Sequence, residues 1–196
     1  MRKEEALPTL RAVASWLEES GQDVVVCGAA RRGAKEIEHT DIVIRGPLVQ
    51  ALADLEEMCK LVSLECAVLE QGDQYAALLV NEIQLALHVV YQEAWGAHIL
   101  YYTGNQVFRV AMAAEAKSQG YKLNSRGLWH RSELIAGRTE EQIFDALDLA
   151  YIPPTRRTFR WKRNRKPLRR KGEICGESQN DPDEERPGVE AQAPGR

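Results

Sequence analysis

Asp23-Val24-Val25-Val26-Cys27-Gly28-Ala29-Ala30-Arg31-Arg32-Gly33, followed closely by Thr40-Asp41-Ile42-Val43-Ile44-Arg45, is the stretch whose reading decides the fold. Its first five residues are a short apolar run, the pattern of a buried strand. Gly28 to Gly33 reads as a turn, because two glycines bracket small and basic residues. Thr40 to Arg45 alternates into a second strand, which Gly46-Pro47 breaks. The segment is therefore strand, turn, strand, with an acid at the start of the second strand.

Upstream, Glu4 to Glu19 predicts an amphipathic helix with Leu7, Leu10, Val13, Ala14 and Leu17 on one stripe. Downstream, Leu48 to Met58 returns to helical spacing. Strands are expected at Leu64 to Leu69, Tyr75 to Val80 and Ile83 to Val90. Trp95 to Tyr102 and Val107 to Ser118 read as helices separated by Thr103-Gly104-Asn105. Three short strand pieces follow at Lys122 to Asn124, Gly127 to Trp129 and Glu133 to Ile135. Thr139-Glu140-Glu141-Gln142 then opens a last helix to Leu147, with capping-box spacing. The expected fold class is α+β: a mixed sheet with helices, then a small α/β lobe, then a disordered C-terminal tail.

The chain has 196 residues, 44% hydrophobic and 28% charged, within the range of one globular domain or two small lobes. No apolar run reaches the roughly 18 residues of a membrane span. Met1-Arg2-Lys3-Glu4-Glu5 leads into no signal-peptide core, which predicts a cytoplasmic, non-secreted protein without a membrane partner. The four cysteines, at 27, 59, 66 and 175, form no C-x-x-C pair and exclude a zinc ribbon or disulfide framework. The first three read as small buried apolar residues.

Charge is divided sharply along the chain. The formal net charge is −3, residues 156–171 hold ten Lys and Arg and no acid, and residues 173–196 hold seven acids against two Arg, so residues 1–155 carry −8. The basic strap contains Arg156, Arg157, Phe159, Arg160, Trp161, Lys162, Arg163, Arg165 and Lys166. Cations interleaved with aromatic rings suit a phosphate backbone plus base stacking. The strap is thus the expected contact for DNA or another nucleic acid. The tail behind it is rich in Pro, Gly and Glu and has too little apolar surface to offset its ordering entropy.

Three separated segments resemble DNA polymerase family X, the group that includes DNA polymerase beta. Gly28-Ala29-Ala30-Arg31-Arg32-Gly33 with Asp41-Ile42-Val43-Ile44 resembles the family's G-S-x-R-R-G turn and D-x-D strand. Trp95 to Asn105, containing Tyr101-Tyr102-Thr103-Gly104, is similar to its Y-F-T-G-S stretch. Gly120 to Phe144, finishing in Tyr151-Ile152-Pro153-Pro154, resembles its thumb. The resemblance implies a nucleotidyltransferase-like palm over residues 1–103 and a polymerase-beta-like thumb over 104–155. The strap is then 156–171 and the acidic tail 172–196. It also implies a minimal version, without the fingers and lyase regions that longer members carry.

Polymerases of this kind hold two divalent cations about 4 Å apart on converging carboxylates. By the resemblance, the three carboxylate positions fall on His39, Asp41 and Ala86, so only Asp41 keeps its acid. Neutral imidazole is a poor Mg²⁺ ligand. Glu38 and Glu82 are expected on the wrong face or about 13 Å along a strand. The phosphate-binding residues implied are Gly28, Arg32, Gly33, Tyr101, Tyr102, Gly104 and Arg109. Here Ala29 replaces the phosphate-contacting Ser, Glu38 replaces a Gly, and Arg109 replaces a nucleotide-facing Asn. His39, Asp41 and His88 form an alternative zinc or iron set, although His88 also reads as a replacement for a family Arg.

The first reading is a family X-like pseudoenzyme that needs no cofactor and keeps nucleic-acid binding through its strap. The second is an active minimal DNA polymerase or nucleotidyltransferase in DNA repair, using Mg²⁺ or Mn²⁺. The third is a scaffold whose old cleft receives a protein partner.

Overall fold

The computed structural model describes residues 1–37 and 39–157. Glu38 and residues 158–196 lie outside the described residues, and with them most of the basic strap and the whole tail expected to be disordered. Helix α1 (Lys3–Glu19) leads into β1 (Asp23–Val26), a single helical turn α2 (Gly28–Arg31), β2 (His39–Arg45) and α3 (Leu48–Leu61). Strands β3 (Cys66–Gln71), β4 (Tyr75–Val80) and β5 (Ile83–Val89) follow. Then come α4 (Trp95–Thr103), α5 (Gln106–Ser118), β6 (Lys122–Asn124), β7 (Gly127–His130), β8 (Glu133–Ala136) and α6 (Glu140–Ala146).

Among the described residues, five strands form one sheet in the order β1-β2-β5-β4-β3, and β6-β7-β8 form a second. The large sheet is mixed, as expected: β2 and β5 run parallel, and its other neighbouring pairs are antiparallel. Strand alternation sorts its side chains. Ile42, Ile44, Leu85 and Leu87 pack under α1 and α3 with Leu10, Val13, Leu17, Leu55 and Met58. The intervening Val43 packs on the opposite face with Cys27, Val90 and Ile99. That second face is only partly covered by α4, and the uncovered part holds His39, Asp41, Ala86 and His88.

The Gly28–Gly33 stretch, expected as a turn, is helical over its first four residues. Gly28 takes φ 63°, a left-handed value that lets the chain leave β1 and enter the helical turn without Cβ strain. The carbonyls of Cys27 and Gly28 then accept from the amides of Arg31 and Arg32. Consecutive positions on so tight a turn point in different directions, so the two arginines diverge. Cys27 and Cys59 are buried free thiols, whereas Cys66, expected inside, is half-buried. Burial pushes the Cys27 thiol up to about 12, which keeps it protonated and inert.

A third cluster, including Leu100, Phe108, Met112, Leu128, Ile143 and Phe144, joins α4, α5 and α6 to the small sheet. The Thr139 cap expected from sequence is in place, and Asn105 caps α5 without having been singled out. Asn105 Oδ1 accepts from the Phe108 amide at 2.8 Å and Thr139 Oγ1 from the Gln142 amide at 3.2 Å, each satisfying an early helical donor. Gly96 of α4 lies so close to the start of α6 that a Cβ there would stand 2.2 Å from the Thr139 carbonyl carbon.

The same α6 start carries a buried ion network. Arg31 donates two hydrogen bonds to Glu140, at 3.0 and 2.9 Å, and a third to Thr103 Oγ1 at 2.8 Å. Arg157 reaches Glu140 Oε1 from the other side at 2.5 Å and donates to the Ile152 carbonyl at 2.9 Å. Tyr151 adds its hydroxyl at 3.1 Å. The Arg157 guanidinium stacks among Phe108, Phe144 and Tyr151 at 5.5 to 5.7 Å. Arg157 was expected in the nucleic-acid-binding strap. Its side chain is 0% exposed, and the correction has a simple cause: a buried acid at the start of α6 claims this cation.

Burial pushes the Glu140 carboxyl up, but the hydrogen bonds from Arg31 and Arg157 outweigh it and hold the group below its usual range. A depressed carboxyl pKa stabilises fully above the unfolded value of about 4.3 and stops doing so as pH falls through the lower folded value. Acid melts should therefore show a loss of stability below about pH 4.5 that Glu140→Gln lacks. Glu140→Ala, which strands two buried cations, should cost about 3–5 kcal/mol in urea unfolding. Gly96→Ala should cost about 1–3 kcal/mol through overpacking, read as a lower Tm.

Candidate functional site

The uncovered face of the large sheet is the place where chemistry-bearing residues gather. Parallel pairing sets Asp41 of β2 beside Ala86 of β5, with Val43 beside His88. The Asp41 Oδ1 atom is 2.9 Å from His88 Nε2, so the carboxylate accepts a hydrogen bond from the imidazole. The His88 ring stacks on Tyr102, with centroids 3.8 Å apart and planes 18° apart. Tyr75 approaches the same imidazole at 5.3 Å. Burial, then the nearby Asp41 charge, pushes the Tyr102 hydroxyl up to about 12, so it stays a neutral phenol at physiological pH.

A cleft of about 400 Å³ opens beside this pair, lined by Gly28, Ala29, Arg32, His39, Asp41, Tyr102, Gly104, Asn105, Gln106 and Arg109. Seven residues singled out from sequence thus meet in one place. Arg32 hangs its guanidinium on the Thr103 carbonyl at 2.7 Å, between α2 and α4. Burial lowers its pKa, the Asp41 charge works in the opposite direction, and the neighbouring Arg109 charge adds a smaller lowering. Arg109 lies over the Tyr101 ring at 4.5 Å. Tyr101 itself faces a small apolar cavity next to the cleft rather than the cleft. Gly33 does not line the cleft either; its neighbour is the Thr155 methyl, 3.8 Å from where a Cβ would stand.

Ala86 and His88 line an adjoining groove of about 460 Å³, which shares His39 and Asp41 with the cleft. That groove also holds Glu70 of β3, an acid that sequence spacing did not single out because it comes from the far edge of the sheet. Among the described residues, no group of three or more His, Cys, Asp and Glu converges closely enough to hold a metal ion. The alternative set of His39, Asp41 and His88 is therefore corrected. His88 and Asp41 meet, but they are spent on one another, and His39 is exposed at the strand's end.

The donors present do not fit a pair of magnesium ions. Mg²⁺ wants near-octahedral oxygen ligation at about 2.0–2.1 Å. Among the described residues of β2 and β5, Asp41 is the carboxylate on this face, a methyl group stands at its neighbour on β5, an imidazole stands two residues earlier on the same strand, and Glu70 approaches only from the adjoining groove. Asp41 and His88 form an acceptor–donor pair next to a cationic cleft. That arrangement can bind and orient anions. Arg156 is exposed and available to solvent, whereas Arg160, Trp161, Lys162, Arg163, Arg165 and Lys166 lie outside the described residues.

Comparison with known proteins adds independent findings. The family model of the DNA polymerase beta thumb matches residues 98–158. Repair DNA polymerase X of African swine fever virus (isolate Tick/South Africa/Pretoriuskop Pr4/1996) is 24% identical over 142 residues, covering 69% of this chain and 82% of the viral protein. The same protein from the isolate Tick/Malawi/Lil 20-1/1983 is 25% identical over the same shares. DNA polymerase IV of Saccharomyces cerevisiae is 31% identical over 68 residues, covering 35% of this chain and 12% of the yeast protein. Among the described residues, no helix is long and apolar enough to cross a membrane. The mixed sheet with its helices, the matched thumb and a viral relative aligned across most of its length together make this chain similar to DNA polymerase family X.

Proposed function

We propose that this protein is a catalytically degenerate family X palm and thumb that binds nucleic acid without extending it. The observation that carries the reading is the pairing of Asp41 with Ala86, one carboxylate beside a methyl group, with that carboxylate already accepting from His88. A pair of dications needs several oxygens converging on it, and one engaged carboxylate does not provide them. On this reading residues 1–103 are the palm, 104–155 the thumb, 156–171 the strap and 172–196 the acidic tail. The protein requires no cofactor, works inside the cell, and meets DNA or another nucleic acid through Arg156, Arg160, Trp161, Lys162, Arg163, Arg165 and Lys166. Arg157 is not counted, because Glu140 holds it.

The acidic body speaks for contact concentrated in the strap, since residues 1–155 carry −8. Binding of about six phosphates there would weaken roughly 10³-fold between 50 and 200 mM salt. Fluorescence anisotropy with single-stranded and duplex DNA should show that slope, and a chain ending at residue 157, which keeps the Arg157–Glu140 pair, should lose it. Binding that survives the truncation, or is absent at low salt, would favour the scaffold reading with a protein partner.

A second reading, an active minimal repair polymerase using Mg²⁺ or Mn²⁺, is favoured by the alignment with Repair DNA polymerase X over 82% of that protein and by retention of Asp41. Primer extension with each metal separates the two. No extension is expected. Extension abolished by Asp41→Ala would defeat the degenerate reading. The double variant His39→Asp/Ala86→Asp tests the ligand argument directly: Mn²⁺ binding followed by electron paramagnetic resonance should tighten by about tenfold or more over the natural chain.

A further inference from the structure

Helix α5 has an outer face that the described residues leave uncovered. Val107 is 44% exposed and Val110 62%, Ala114 is exposed, and Ala111 lies half-buried between them. Spacings of three and four residues put all four on one stripe of the helix. Its opposite side, with Phe108, Met112 and Ala116, is already spent on the core. The exposed positions from Gln106 to Ala114 carry no charge, so this stripe offers a phosphate backbone no counterion. Exposed apolar residues grouped on one stripe, rather than scattered singly, mark a contact surface.

The described chain ends beside that stripe. The Arg157 carbonyl accepts from Asn105 Nδ2 at 3.2 Å, and Asn105 is the N-cap of α5. Arg157 is fixed there by its own side chain, which donates to Glu140 at 2.5 Å and to the Ile152 carbonyl at 2.9 Å. Residues 158–196 therefore leave from a fixed point at the start of α5, and Phe159 comes two residues beyond it. Two extended residues reach about 7 Å. Val110 lies about 7.5 Å along the helix axis from Asn105. We infer that Phe159 docks on Val107 and Val110, over Ala111, so that α5 anchors the basic strap to the body. The inference rests on the strap as the nucleic-acid contact and deepens that reading. A docked phenyl ring removes about 150–250 Å² of surface from water, and the fixed exit point leaves few residues to be ordered. Neighbours alternate along an extended segment, so seating Phe159 turns Arg160 away from the helix. A strap held at its root loses less freedom when it meets nucleic acid.

Methyl NMR on the full chain with isotope-labelled valine tests the contact, against a chain ending at residue 157. The ring current of Phe159 should displace the Val107 and Val110 methyl signals in the full chain, and Phe159→Ala should return them to their positions in the shorter chain. Val110→Asn identifies the Val110 signals and removes the contact from the other side. Signals that coincide in the full and shorter chains would overturn the inference, as would a displacement that persists in Phe159→Ala. A displacement that vanishes on dilution would assign the face to a second copy, and one that appears only with added DNA would assign it to nucleic acid; either outcome defeats the docking. Binding to single-stranded DNA is read separately by fluorescence anisotropy. Phe159→Ala and Val110→Asn should each weaken it by about two- to tenfold, the cost of ordering a strap no longer anchored. Neither variant removes a cation, so the slope against salt should stay the same. The double variant should bind no more weakly than either single one, since both break one contact, and fully additive losses would count against it. If the full chain binds no DNA while the displacement persists, the nucleic-acid reading fails and the docking stands. DNA binding with undisplaced methyl signals defeats the docking alone.

Discussion

The described structure turns on one buried carboxylate. Glu140 sits at the first position of α6 with 5% of its surface exposed, between Arg31 from the glycine-bracketed turn and Arg157 from the segment after α6. Isolated, such an acid would be driven to neutrality. Held from both sides, it ties Arg31, 109 residues earlier in the chain, and Arg157, 17 residues later, into one arrangement. Gly96 lets α4 approach α6 closely enough for the network to form. Arg31 also reaches Thr103, the last residue of α4, so the network sets the wall of the cleft as well as the docking of the small sheet.

This constraint explains why two adjacent arginines have different roles. Arg31 and Arg32 are neighbours on a single helical turn that Gly28 makes possible. One is consumed by the fold and the other faces the cleft. The cleft itself follows from strand alternation. Ile42 and Ile44 are needed under α1 and α3, which forces Asp41 onto the open face, where β5 presents Ala86 and His88. In that cleft a carboxylate paired with an imidazole lies beside Arg32 and Arg109.

Much of the fold was legible because periodicity is local. The three strands after α3 begin or end within two residues of their expected positions, and the capping role of Thr139 is written in residue type and spacing. The glycine-bracketed turn was less legible, since a single helical turn and an open turn share the same small residues. His39, Asp41 and Ala86 were placed by resemblance, and parallel pairing of β2 with β5 sets Asp41 directly beside Ala86. Glu70 had no local signal, because its approach to the groove depends on strand order across the sheet.

The amino-acid sequence by itself determined the α+β class, the order of elements, the division of charge and the presence of Asp41 as the acid within β2. These depend on residue type and on neighbours a few positions away. Only the tertiary structure decided that Arg157 belongs to the core, that Arg31 and Arg32 part ways, and that Asp41 is engaged by His88. Each is a contact between residues 47 to 109 positions apart, or a choice of cation made by a buried acid. Such choices are set by which groups lose their water together, and no local pattern of residues encodes that.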